Sequence, residues 1–246
     1  MNLSVNKNTQ GQSGVPIPAP IKLKEITPLF KGGYEFPIAK LVSVKFDPKK
    51  EVKIKNSDEK EEKPVLIFVW KDAKDRQFTQ MEFPIASDDA NAEMKVDALQ
   101  QRLKHIWDVM IGDDIDPDFS GDSFAEFFKN AAEAFNGQKV TRRLKDGETI
   151  PEGEEAPTVP RYTTQQVYIK LTYYKTNLQI PMFPNFIQRA GTSQARIPCE
   201  TLIINPKNDQ LQPSEKANKG NGNQNFNNSL DNEFIGEDLG DDFPEV

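Results

Sequence analysis

Apolar residues recur at every second position in the series Tyr34, Phe36, Ile38, Val42, Val44 and Phe46, which only Lys40 interrupts. Side chains alternate between the two faces of a strand, so this spacing predicts a strand with one buried face. The charged run from Asp47 to Lys63 reads as a solvated loop. "PVLIFVW", Pro64 to Trp70, is nearly continuously apolar, as a central strand buried on both faces requires. "KDAKDR" then turns the chain and "QFTQMEFPI" returns it, which predicts a hairpin.

The period then changes. Val96, Leu99, Leu103, Ile106, Trp107 and Met110 recur at three and four residues, with Ser87, Asp88 and Asp89 upstream and Gly112 as the stop, so a helix is expected. A second helix opens with Ser123 and Glu126 at capping-box spacing, turns Phe124, Phe127, Phe128, Ala131 and Phe135 inward, and ends at "NG". Residues 138–160 hold Lys139, Arg142, Arg143 and Lys145 ahead of an acidic, proline-broken stretch, the pattern of a long loop or loose hairpin. "QQVYIKLTYYKTNLQIPMFPNFIQ", Gln165 to Gln188, is the clearest strand signal of the chain.

These elements predict a mainly β fold with two inserted helices, at about 92–136, in a domain spanning 29–206. Residues 1–28 read as a flexible arm, polar and then proline-spaced. Residues 207–230 are an Asn/Gln/Gly linker, with too few apolar residues to fold. Residues 231–246 form an acidic tip.

Composition agrees with such appendages, since of 246 residues only 36% are hydrophobic and 28% are charged. The net charge of −7 at first disfavours nucleic acid as a partner. Its distribution reverses that impression: residues 231–246 carry seven acids and no base, whereas residues 1–230 balance 31 acids against 31 bases. No stretch approaches the roughly 18 to 20 apolar residues of a membrane span, and the start lacks the apolar centre of a signal peptide. The expectation is an intracellular protein without a membrane partner. The single cysteine, Cys199, has no disulfide partner and reads as a buried structural thiol.

The sharpest local departure lies between Arg161 and Cys199, where there is no acid against five bases, and where four of the five tyrosines fall by Tyr174. Period two assigns Val167, Ile169, Leu171 and Tyr173 to the core and Tyr168, Lys170, Thr172 and Tyr174 to the opposite face. A face that alternates rings and cations suits unpaired nucleic acid, because every base offers a π-face and every phosphate attracts a cation. The alternative is that the inserted helices cover this face and the tyrosines pack with their hydroxyls satisfied. On the first reading Tyr162, Tyr168 and Tyr174 stack on bases, and Arg142, Arg143, Arg161, Lys170, Lys175 and Arg189 hold phosphates.

Other constellations carry less. His105 is the only histidine, so neither a metal site nor a triad is expected. "KGGY" and "NGQK" lack phosphate-loop spacing. Gly112 to Asp122 gathers five aspartates but lacks the glutamate of a calcium loop at its twelfth position, and reads as a solvated connection. No cofactor and no catalytic activity are expected.

Strands, a helical insertion before the closing strand pair, an aromatic and basic strand face, a Gly/Asn/Gln linker and an acidic tip together resemble the single-stranded-DNA-binding proteins of the OB-fold class, phage-type ones above all. The tip residues that match are Asp241, Asp242, Phe243 and Pro244, while "FNGQK" and "NLQIPMFPNFI" stand where the turn before the last strands and the final strand fall. The likeness covers roughly residues 30–198 in arrangement and 220–246 in composition. It implies an OB-fold-like β-barrel that binds and protects single-stranded DNA during replication, recombination and repair, in the cytoplasm of a bacterial host if phage-encoded. It also implies that Phe234, Leu239, Asp241, Asp242, Phe243 and Pro244 dock replication or recombination proteins. The chain departs by continuing through Glu245 and Val246, and by inserting two helices where one is usual. A homo-oligomer is compatible with the pattern. The competing expectation is a structural or cargo protein of a virus particle without nucleic-acid specificity.

Overall fold

The computed structural model describes residues 3–9, 38–53, 58–73, 75–144, 148–151, 153–174, 177–180 and 186–190, with backbone alone at Tyr173, Tyr174, Asn177 and Leu178. In chain order the elements are β1 (Leu3–Val5), β2 (Ile38–Lys53), β3 (Lys60–Asp72), β4 (Gln77–Glu82), α1 (Ala92–Met110), β5 (Phe119–Gly121), α2 (Phe124–Gly137), β6 (Lys139–Thr141) and β7 (Thr158–Pro160). A 3-10 turn, Arg161–Thr164, leads into β8 (Gln166–Ile169), β9 (Thr172–Tyr174), β10 (Asn177–Gln179) and β11 (Ile187–Arg189).

Five strands form the main sheet, in the order β11-β8-β2-β3-β4, antiparallel throughout. β9–β10 is a small hairpin that comes near the β4 edge without a ladder to it, so the sheet is not closed into a barrel among the described residues. The fold is mainly β with two helices.

Alternation along β2, β3 and β4 sets one side of the sheet inward. Leu41, Trp70 and Phe78 lie in one cross-strand row and Val44, Phe68 and Gln80 in another, and all six are buried. α2 covers this side: Phe135 meets Phe68 edge-on at 5.6 Å and Trp107 of α1 at 5.0 Å. α2 begins where the sequence expects it. The Ser123 side chain accepts from the Glu126 amide at 3.2 Å, while the Glu126 carboxylate accepts from the Asp122 amide at 3.0 Å. α1 ends at Met110, and Gly112 follows with φ +125, a conformation that L side chains rarely adopt.

Two expectations are corrected and a third is refined. Asp47–Lys63 is not simply a loop, because β2 and β3 continue through Lys53 and from Lys60 as a long hairpin; acids placed diagonally to lysines let a charged ribbon stay paired, as in Lys60–Glu51 at 3.0 Å and Lys49–Glu62 at 3.4 Å. The strand signal of Gln165–Gln188 is divided among β8, β9, β10 and the start of β11. The tip of the expected arm is also structured, since Leu3 and Val5 are fully buried where β1 pairs with β5. The remaining arm residues, 1–2 and 10–28, the linker 207–230 and the tip 231–246 lie outside the described residues.

Candidate nucleic-acid interface

β8 lies inside the sheet, paired with β2 on one flank and β11 on the other. Val167, Ile169 and Leu171 are buried as expected, yet Tyr168 is only 9% exposed, Lys170 1% and Thr172 5%. The open aromatic face is thus corrected for its described members. The backbone amide of Lys170 donates to the Phe186 carbonyl at 2.7 Å, which holds the residue beneath the β11 approach. Tyr162 is buried in the 3-10 turn and donates its hydroxyl to Asn136 Oδ1 at 2.7 Å, and Asn136 in turn donates to the Val44 carbonyl at 3.0 Å. Burial pushes the Tyr162 phenol above its ordinary pKa, against a backbone hydrogen bond at Val44. Neither Tyr162 nor Tyr168 offers a ring face for stacking. The Tyr174 side chain and all of Lys175 lie outside the described residues, as do Phe234, Leu239, Asp241, Asp242, Phe243 and Pro244.

The expected phosphate-binding arginines are mostly engaged within the fold. Arg142 donates to Glu148, Nη1 to Oε2 at 2.9 Å, and that bond raises its pKa further. Arg161 Nη2 reaches Asp114 at 3.1 Å. Arg189 donates through Nε to the Val109 carbonyl at 2.9 Å and through Nη2 to that of Asp108 at 2.6 Å. A cation there satisfies carbonyls left open at the end of α1, so Arg189 acts as a helix cap. Arg143 is exposed on the loop after β6.

The side of β2, β3 and β4 that faces away from the helices holds a different set of residues. Lys40 and Lys71 stand directly opposite one another, next to Gln77. Ser43, Val69 and Thr79 form the next row, and Lys45, Ile67 and Met81 the one beyond. Val42, at the β2 bulge, is 42% exposed and Ile38 40%. Lys40, Lys45 and Lys71 are exposed, with Ile67, Val69 and Met81 half-buried between them. Among the described residues Lys71 pairs with Asp75 at 3.0 Å, Lys40 and Lys45 have no ion pair, and Asp47 closes the far end of the face.

Opposed like charges on a sheet repel, an arrangement that a polyanion laid across the strands relieves. From Lys40 to Lys45 the face runs about 17 Å at roughly 3.3 Å per residue. Sequence reading missed these lysines because Lys40 registered as a break in the period of β2. The legible signal is that Lys40 and Lys45 lie either side of a bulge, which turns both to the same side.

Among the described residues no group of three or more His, Cys, Asp or Glu side chains could hold a metal ion, and no helix is long and apolar enough to cross a membrane. Comparisons of the chain with protein-family models, with curated proteins and with solved structures find no match.

Proposed function

We propose that this protein binds and protects single-stranded DNA, without sequence preference and without catalysis, across the outward side of β2, β3 and β4. The observation that carries the reading is the lysine-edged aliphatic face, with Lys40 opposite Lys71 and Lys45 beside Ile67 and Met81. Lysines attract the phosphates of any sequence. The half-buried aliphatic side chains between them cover base faces that unpaired strands expose and duplexes hide. The topology supports the same reading: three strands in a meander, a helical insertion, then a strand that returns to pair with the first. Closure of that sheet through β10 against β4 would complete an OB-like barrel, a fold whose nucleic-acid face lies over its second and third strands.

The acidic tip completes the proposal. Its seven acids compete with DNA for the lysines, and Phe234, Leu239 and Phe243 give replication or recombination partners apolar anchors beside Asp241, Asp242 and Pro244. The test is an anisotropy titration of labelled oligo-dT, with duplex of equal length as competitor, on the full chain and on a form ending at Ser229. The expected result is weak competition by duplex and tighter binding once the tip is removed. Equal competition by duplex, or no binding by either form, would leave the assembly role in a virus particle as the better reading.

A further inference from the structure

β5 is anchored by contacts with the helices in addition to its pairing with β1. Phe119 stacks against Trp107 at 5.9 Å, Phe127 at 5.8 Å and Phe135 at 6.2 Å, and Asn130 Nδ2 donates to the Ser120 carbonyl at 2.8 Å. Gly121 sits so close to α2 that a Cβ there would lie 2.4 Å from the Phe127 nitrogen. The open edge of β5, flanked by α1 and α2, is therefore a rigid site for one added strand. β1 fills it with Leu3 opposite Gly121, Ser4 opposite Ser120 and Val5 opposite Phe119. It brings two fully buried side chains, and a turn ends it, in which the Thr9 amide donates to the Asn6 carbonyl at 3.0 Å. Alternate side chains in pockets with main-chain pairing between them is how a sheet edge recognises an extended peptide.

The tether is long for so small a contact. Twenty-eight residues, 10–37, separate this turn from β2, and five of them are prolines. Fully extended they reach on the order of 90–100 Å. A polymer of that many residues has a root-mean-square span of about 30 Å, and tethering over such a span corresponds to an effective concentration on the order of millimolar. A neighbour held at a similar local concentration competes on equal terms, because it offers the same contacts.

We infer that β1 is an exchangeable docking strand, and that the groove formed by β5, α1 and α2 accepts the Leu3–Val5 strand of a second copy when copies are crowded. In dilute solution the strand docks at home and the protein is monomeric. Copies lined up on one DNA strand are crowded in this sense, a clause that rests on the function proposed above; the exchange itself does not need DNA.

The Ser4–Ser120 pairing gives a direct test. Directly paired residues on adjacent strands have Cα separations of about 4.5–5.5 Å, within the range a disulfide spans. Full-length chains carrying Ser4→Cys are mixed with full-length chains carrying Ser120→Cys, both with Cys199→Ser, and oxidised gently. A control mixture replaces Ser120→Cys with Asp58→Cys on the exposed β2–β3 hairpin. The expected result is a disulfide heterodimer at protein concentrations near millimolar, at least fivefold above the control, with little at micromolar. Oligo-dT is expected to restore it at micromolar protein, and failure of that gain alone would count against DNA binding and not against exchange. Heterodimer no more abundant than the control at high concentration overturns the inference. A labelled peptide of residues 1–9 supplies the second readout. Saturable binding to the Leu3→Asp/Val5→Asp chain, at least tenfold tighter than to the unaltered chain, supports exchange. Equal binding to both, with circular dichroism showing both folded, overturns it.

Discussion

Arg102 and Glu82 lie buried together between α1 and β4, their side chains 3% and 4% exposed, with Arg102 Nε donating to Glu82 Oε1 at 2.7 Å and Gln80 Nε2 donating to the same oxygen at 2.7 Å. Removing one member strands the other charge away from water. Arg102→Met alone is therefore expected to lower unfolding stability by about 3–5 kcal/mol in urea titrations, and Glu82→Leu/Arg102→Met to recover most of the loss. His105 makes a separate contact between the same helix and β11, its Nε2 lying 3.0 Å from the Ile187 carbonyl and its ring edge-on to Phe186. Burial holds its pKa below the ordinary 6.5, against the pull of the Ile187 bond and of Asp108. The unfolded chain then takes up the proton first, so stability is full above about pH 6.5 and is lost as pH falls from there toward the folded value. Because the chain has one histidine, the melting temperature of the unaltered protein should fall between pH 7 and 5.5 by more than that of His105→Gln. Equal slopes would contradict the assignment.

At the scale of elements, periodicity made the helices legible down to their caps. Ser123→Ala should cost about 1 kcal/mol, read from denaturant midpoints, since the hydroxyl accepts from the Glu126 amide. The β3–β4 hairpin was legible for the same reason, an uninterrupted apolar run followed by a turn. The extent of β2 and β3 was not, because the ladder there is a backbone pairing between charged segments whose diagonal lysine–glutamate contacts no single-strand pattern displays. β1 and β5 were hidden too, being three residues long and paired across more than a hundred positions. The candidate site shifted for a related reason. Period two ordered Val167, Ile169 and Leu171 correctly, but Tyr168 and Lys170 at the alternate positions are buried as well, because the second face of a strand is covered by chain that its own alternation does not specify. Alternation is local information, whereas exposure is set by distant chain.

For the molecule as a whole, charge is sorted by place. Arginines foreseen as phosphate ligands mostly bind carboxylates or the end of a helix, while Lys40, Lys45 and Lys71 share the side of the sheet that the helices leave open. The acids in excess lie in residues 231–246. This division underlies the proposed competition of tip and DNA for one face, and it makes salt the most direct probe. The affinity of the full chain for oligo-dT should fall linearly on logarithmic axes as salt rises, with a slope of about −0.7 for each phosphate neutralised. The deciding measurement is that slope for the unaltered chain against Lys40→Gln/Lys45→Gln/Lys71→Gln. A slope shallower by about 2 in the variant, with weaker binding and an unchanged melting temperature, is the predicted result. An unchanged slope and affinity would contradict the account, placing any DNA contact on some surface other than the lysine-edged face.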